Sequence, residues 1–96
     1  MVTHIVVWKY RADVSQTVRE EHQAQLRALG NIVPGIESLN VGFDFLRASN
    51  SYDIGLSARF ADRSVLEAYT VHPEHVKVVV FGRSITEKMA KVDFEE

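Results

Sequence analysis

The 96-residue chain has no cysteine, which excludes a disulfide framework, a thiolate metal centre and a thiol nucleophile. It has no excess of one charge either. Its 11 basic and 13 acidic residues leave a formal net charge of −2, and the basic side chains are scattered among acidic ones, so no nucleic-acid partner is expected. Long apolar runs are missing: the first, from Val2, is interrupted by His4 and Lys9, and neither a signal peptide nor a membrane span is read there. A cytoplasmic location with no membrane partner is the expectation. Repeats, linkers and low-complexity segments are also absent, so residues 1–96 are read as one domain with one core. A core of this size leaves a protomer marginally stable unless association adds burial.

What is there is strongly periodic. Residues 2–10, "VTHIVVWKY", alternate so that His4, Val6, Trp8 and Tyr10 share one face and Ile5, Val7 and Lys9 the other. Both faces are largely apolar, so both need cover. Helices can cover one, and a second copy of the chain is the economical cover for the other, through Ile5, Val7 and the sheet around Val41 and Phe43. From Asp13 to Val33 apolar residues recur three or four apart, the pattern of an amphipathic helix, with Asp13 or Ser15 as its cap. Strands are expected from Ile36 to Phe45, over "YDIGLSARF" at 52–60, where Asp53 falls on the face opposite Ile54 and Leu56, and from Thr86 to Phe94. "ADRSVLEAYTVH" reads as a second helix capped by Asp62. Proline is scarce, with Pro34 and Pro73 alone. Pro34-Gly35 ends the first helix; His72 before Pro73 must leave the helical region, and Pro73 then starts a short helix to about Gly82. The order is βαββαβ with a split second helix, the α+β, ferredoxin-like pattern of an antiparallel sheet with helices on one face.

The segments "HIVVWKY", "IVPGIESLNVG", "YDIGLSARF", "AYTVHPEHV" and the closing "VDF" stand in the order and spacing of the stress-responsive α/β-barrel family, and the chain resembles that family over nearly its whole length. The resemblance implies a ferredoxin-like protomer whose sheets pack face to face in a homodimer to form a barrel. It also implies a candidate chemistry, because a plant member closes linear poly-β-ketones by intramolecular aldol condensation with a histidine base and an assisting tyrosine. Matched through Pro73, those roles fall on His75 and Tyr69, and a further histidine falls on His4. Trp8, Leu26, Leu56 and His72 complete the expected ligand-binding set. The sequence departs from that member where its pocket is aromatic, offering His22, Gln23, Leu26 and Thr86, so a more polar cavity is expected.

Aldol chemistry needs a base of near-neutral pKa and a donor for the enolate oxygen, and histidine and tyrosine can supply them. His75 in the first turn after Pro73 should stay unprotonated beside the positive helix end, and the chain must fold back at His72-Pro73 for Tyr69 to reach it. Each residue also has a purely structural reading: His72 as a corner cap, Tyr69 as a buried aromatic, His4 as a core histidine. His72 and His75 are three apart, but the intervening proline spoils the continuous helix that metal-binding pairs use, and no carboxylate cluster marks a magnesium site. No metal and no cofactor are expected. Three functions stay open: a cyclase, lyase or isomerase acting on a small organic ligand, a non-enzymatic stress or interaction protein, and a haem-degrading or quinol-type monooxygenase of the same fold.

Overall fold

The computed structural model describes residues 1–96, in the order β1 (Val2–Tyr10), α1 (Gln16–Arg27), a 3₁₀ turn (Ala28–Asn31), β2 (Ile36–Phe43), β3 (Ile54–Phe60), α2 (Arg63–Val71), α3 (Pro73–Ile85) and β4 (Thr86–Glu95). The strands form one antiparallel sheet in the order β2-β3-β1-β4, so β1 is hydrogen-bonded along both edges. This is the ferredoxin-like arrangement. No helix is long and apolar enough to cross a membrane.

The helix-facing side of the sheet carries the core. Val2, Val6 and Tyr10 of β1 and Ile54, Leu56, Ala58 and Phe60 of β3 are buried there, closed by Leu26, Leu29, Tyr69, Val78 and Ile85 from the helical layer. Side-chain alternation in a strand places every second residue on that side, which is why a single register fixes the whole set. Ser15 caps α1 by accepting from the Val18 amide at 3.2 Å, choosing between the two candidate caps. The first helix is shorter than its periodicity implied. It tightens into the 3₁₀ turn after Arg27, because Gly30 favours the helical state weakly and Pro34 excludes it for Val33. By contrast α3 runs three residues past its expected end. Gly82 is buried there as a point of close packing, and an added Cβ would stand 3.2 Å from His22 Nε2.

Two expectations are corrected by the register. Val41 pairs with Leu56 and Phe43 with Ile54, so both sit on the helix-facing side, where Val41 is buried and Phe43 half-buried, and neither can contribute to the reverse face. That face carries Ile5 and Val7 beside Val92 and Ala90, while across β3 it turns polar with Ser57 and Arg59. Apolar surface is thus concentrated on β1 and β4, where Val92 and Phe94 are 51% and 41% exposed.

Asp53 was expected on an exposed strand face but is only 6% exposed. It precedes β3, accepting from the Tyr10 amide at 2.8 Å and from the Arg47 guanidinium at 2.9 Å. Its own amide donates to Trp8 at 2.8 Å. Burial opposes ionisation, but the Tyr10 amide and Arg47 outweigh it and hold the Asp53 carboxyl below its usual pKa. Its stabilising effect is therefore present above the ordinary carboxylate pKa and fades as pH falls through the lower folded value. Asp53→Ala should destabilise the chain by about 2 kcal/mol in urea unfolding at neutral pH, since it leaves the buried Tyr10 amide without its acceptor and Arg47 with Asp44 alone. Equal stability of the variant and the parent would contradict this role.

Candidate active site

A cleft of about 680 Å³ lies between the sheet and α3, lined among others by His4, Val6, Trp8, Leu26, Leu56, Tyr69 and His75. That volume is within the range of small-molecule sites, several hundred Å³. The break at His72 builds its polar end. His72 leaves the helical region at φ −63° and ψ 135°, and its Nδ1 accepts from the Glu74 amide at 3.1 Å, so it caps α3. Its ring does not line the cleft, and the ligand-contacting place expected for it is not where the structure puts it. Pro73 opens α3 without an amide to satisfy.

This turn brings His75 back onto the end of α2. Its Nδ1 lies 2.9 Å from the Thr70 carbonyl oxygen. A carbonyl only accepts, so the proton is on Nδ1 and the neutral ring carries its lone pair on Nε2. Tyr69 is 1% exposed, and its ring centroid is 4.5 Å from that of His75. No hydrogen bond within the chain uses the Tyr69 hydroxyl, which stays open to the cleft. Burial lowers the pKa of His75, with the His4, Lys91 and His72 side chains adding to it and the Thr70 carbonyl opposing. The direction agrees with the expectation from the helix end, but burial is the leading cause. Burial also pushes the Tyr69 hydroxyl up to about 12.

His4 closes the group, its ring centroid 6.0 Å from Tyr69 and 6.0 Å from Phe60. Its Nδ1 donates to Asp93, which stands opposite it on β4 and also accepts from Lys91 at 3.0 Å. Burial opposes ionisation of Asp93, but Lys91 and His4 hold its carboxyl below the usual value. Asp93 was not among the candidate site residues. The signal was present in the closing "VDF", but only the pairing of β4 with β1 ties it to His4. Trp8, Leu26 and Leu56 line the far part of the cleft, where His22 is fully buried 5.3 Å from the Trp8 ring.

The model of the Stress responsive A/B Barrel Domain family matches residues 2–96. The chain belongs to that family. This A/B barrel domain is 25% identical over 95 residues to olivetolic acid cyclase of Cannabis sativa, which covers 97% of this chain and 94% of the cyclase. Among solved structures it is similar to a dimeric ferredoxin-like protein of Thermobifida fusca, with a TM-score of 0.90 and 21% identity over 99% of this chain and 90% of that one. Another is a dimeric ferredoxin-like protein of Jannaschia, with a TM-score of 0.83 and 26% identity over 99% of this chain and 98% of that one.

The domain's most strongly perturbed histidine is His22, lowered by burial to about 4. An unfolded chain takes up that proton near pH 6.5 and the folded one only near 4, so stability is unaffected above 6.5 and declines as pH falls between the two. The loss amounts to about 3 kcal/mol across that window. His22→Phe should flatten this part of the profile, measured as urea midpoints at pH 7 and 4.5. A variant with the parent's slope would contradict it.

Proposed function

We propose that the chain is a homodimeric α/β-barrel protein whose cleft binds a small organic carbonyl compound and closes it by an aldol-type condensation, or runs the related lyase reaction. One observation carries the reading: a carbonyl-anchored imidazole and a phenol free of protein partners pack with ring centroids 4.5 Å apart in a cleft of ligand size. A cyclase among the relatives supports it.

The mechanism follows from the proton positions. His75 Nε2, unprotonated at neutral pH, removes a proton from a carbon beside a carbonyl. The electron pair of that C–H bond becomes the enolate, whose oxygen accepts a hydrogen bond from Tyr69, and the raised pKa of the phenol keeps it a donor rather than a phenolate. The enolate carbon attacks a second carbonyl of the same molecule, forming the new C–C bond. The alkoxide so produced takes the proton back from Nε2, and the base is regenerated. His4, its Nδ1 proton held by Asp93, is the third polar group at this end and packs against the Tyr69 ring, which positions the phenol.

Acetonylacetone, a linear diketone that closes to a cyclic hydroxyketone and then loses water to give a cyclopentenone, tests the reading through enone absorbance and through deuterium uptake in heavy water. The parent should accelerate both. His75→Ala should lower the rate about a hundredfold or more, and Tyr69→Phe by at least about tenfold. Activity should rise with pH through a value below the ordinary histidine pKa and then level off, because the base form is required. Ligand protection in thermal melting without exchange above buffer would leave a binding protein and sink the catalytic reading.

The dimer is proposed through the reverse face of β1 and β4, built on Ile5, Val7 and Val92. Val7→Glu should yield a monomer or an unfolded chain in sedimentation equilibrium, because an unpaired charge would be buried between the sheets. A variant sedimenting as a stable dimer would remove this face from the interface.

A further inference from the structure

The cleft has a second polar end that the proposed chemistry does not use. The Tyr10 hydroxyl lies 2.7 Å from His22 Nδ1. A phenol is a strong donor and a neutral imidazole nitrogen a strong acceptor, so Tyr10 donates and the His22 ring proton sits on Nε2. His22 is 0% exposed, and Nε2 is the one buried side-chain nitrogen or oxygen of the chain without a hydrogen-bond partner. Buried donors are rarely left so. Trp8 brings a second ring N–H, a donor only. Both nitrogens lie close to one point on α3, 3.2 Å for His22 Nε2 and 3.9 Å for Trp8 Nε1 from where a Cβ of residue 82 would stand, and residue 82 is glycine. With glycine there, α3 packs close and no side chain of residue 82 crowds the two nitrogens. Arg83 and Lys88 line the same cleft, and neither enters any ion pair of the chain.

We propose that the Trp8, His22 and Arg83 end of the cleft binds a carboxylate, so that the ligand is an elongated oxo acid rather than a neutral ketone. This deepens the reading of His75 and Tyr69 and rests on it. Two N–H donors in a cleft that also carries an unpaired guanidinium suit an oxygen acceptor that is charged, and a neutral alkyl end would leave the buried His22 Nε2 without a partner. The spacing sets the length. Four residues of β1 separate His4 from Trp8, about 13 Å, and a hydrogen bond of about 3 Å at each end leaves roughly 7 Å of ligand, close to the span from the carboxyl to the ketone carbon of 7-oxooctanoate.

The single tryptophan of the chain is Trp8, so its fluorescence reports occupancy of this end. Titrated with 7-oxooctanoate and with its methyl ester, the parent should bind the acid at least about tenfold more tightly, the scale of a charged hydrogen bond. His22→Phe should reduce the acid to the affinity of the ester. Gly82→Ala, which places a methyl group 3.2 Å from Nε2, should do the same and serves where His22→Phe folds poorly. Arg83→Gln should reduce the preference while leaving the ester unchanged. Equal affinity for acid and ester, with both weakened by His75→Ala, would overturn the carboxylate end and spare the His75 reading. An acid preference that survives both His22→Phe and Gly82→Ala would overturn it too, and failure of both compounds to bind would overturn the two readings together.

Discussion

Everything in the site depends on the register of β1. Its pairing with β3 runs from Val2 to Trp8 and with β4 from Val2 to Tyr10, so the central strand cannot slip by one residue without turning every side chain to the opposite face. In the observed register His4, Val6, Trp8 and Tyr10 face the helices. Shifted by one, Ile5 and Val7 would enter the core and the histidine would lie on the reverse of the sheet. The same register sets His4 opposite Asp93, a partner 89 residues away. That hydrogen bond is therefore a product of sheet pairing and owes nothing to local sequence.

This separates what could be read in the sequence from what could not. Element order, the split second helix and the apolar reverse of β1 are local signals, carried by alternation and by the His72-Pro73 break. The faces of β2 were misassigned because they are set by its pairing with β3, and Val41 and Phe43 follow Leu56 and Ile54 into the core. Asp53 was misplaced for a related reason: extending the alternation of β3 back past Ile54 takes no account of the Tyr10 amide that clasps the carboxylate. Asp93 lies on a strand exposed over nearly its whole length, where burial periodicity gives no reason to single it out. The meeting of Tyr69 and His75 was legible only in part. The proline showed that the chain must turn, whereas the Thr70 carbonyl that fixes the imidazole comes from the end of the preceding helix.

The turn also divides labour between two histidines three residues apart. An α-helix opens with amides that lack intrahelical acceptors. Pro73 contributes none, and His72 accepts from Glu74, so the imidazole of His75 is not needed as the cap. The second imidazole is thereby free to reach back to Thr70 and present its other nitrogen to the cleft. Had His75 been the cap, its lone pair would have been spent on the backbone. The histidine outside the cleft is thus a condition for the orientation of the one inside it.

Burial then decides the electrostatic character of the cleft. Desolvation disfavours the charged form of every group, and here it pushes Tyr69 up to about 12 and His22 down to about 4, so both are neutral at pH 7. The ionic groups lining the cleft, Arg83, Glu87, Lys88 and Lys91, belong to exposed positions. The interior consequently offers dipoles whose protons are fixed by Thr70 and Tyr10, and the charge stays where water can solvate it. At the Tyr69 end, a hydrogen bond from the neutral phenol strengthens in a low-dielectric surround, which favours an oxygen whose negative charge develops during reaction. A ligand carrying a permanent anion would then place it at the Trp8 and His22 end, on the same cleft as Arg83 and Lys88, and its neutral carbonyl at His75 and Tyr69.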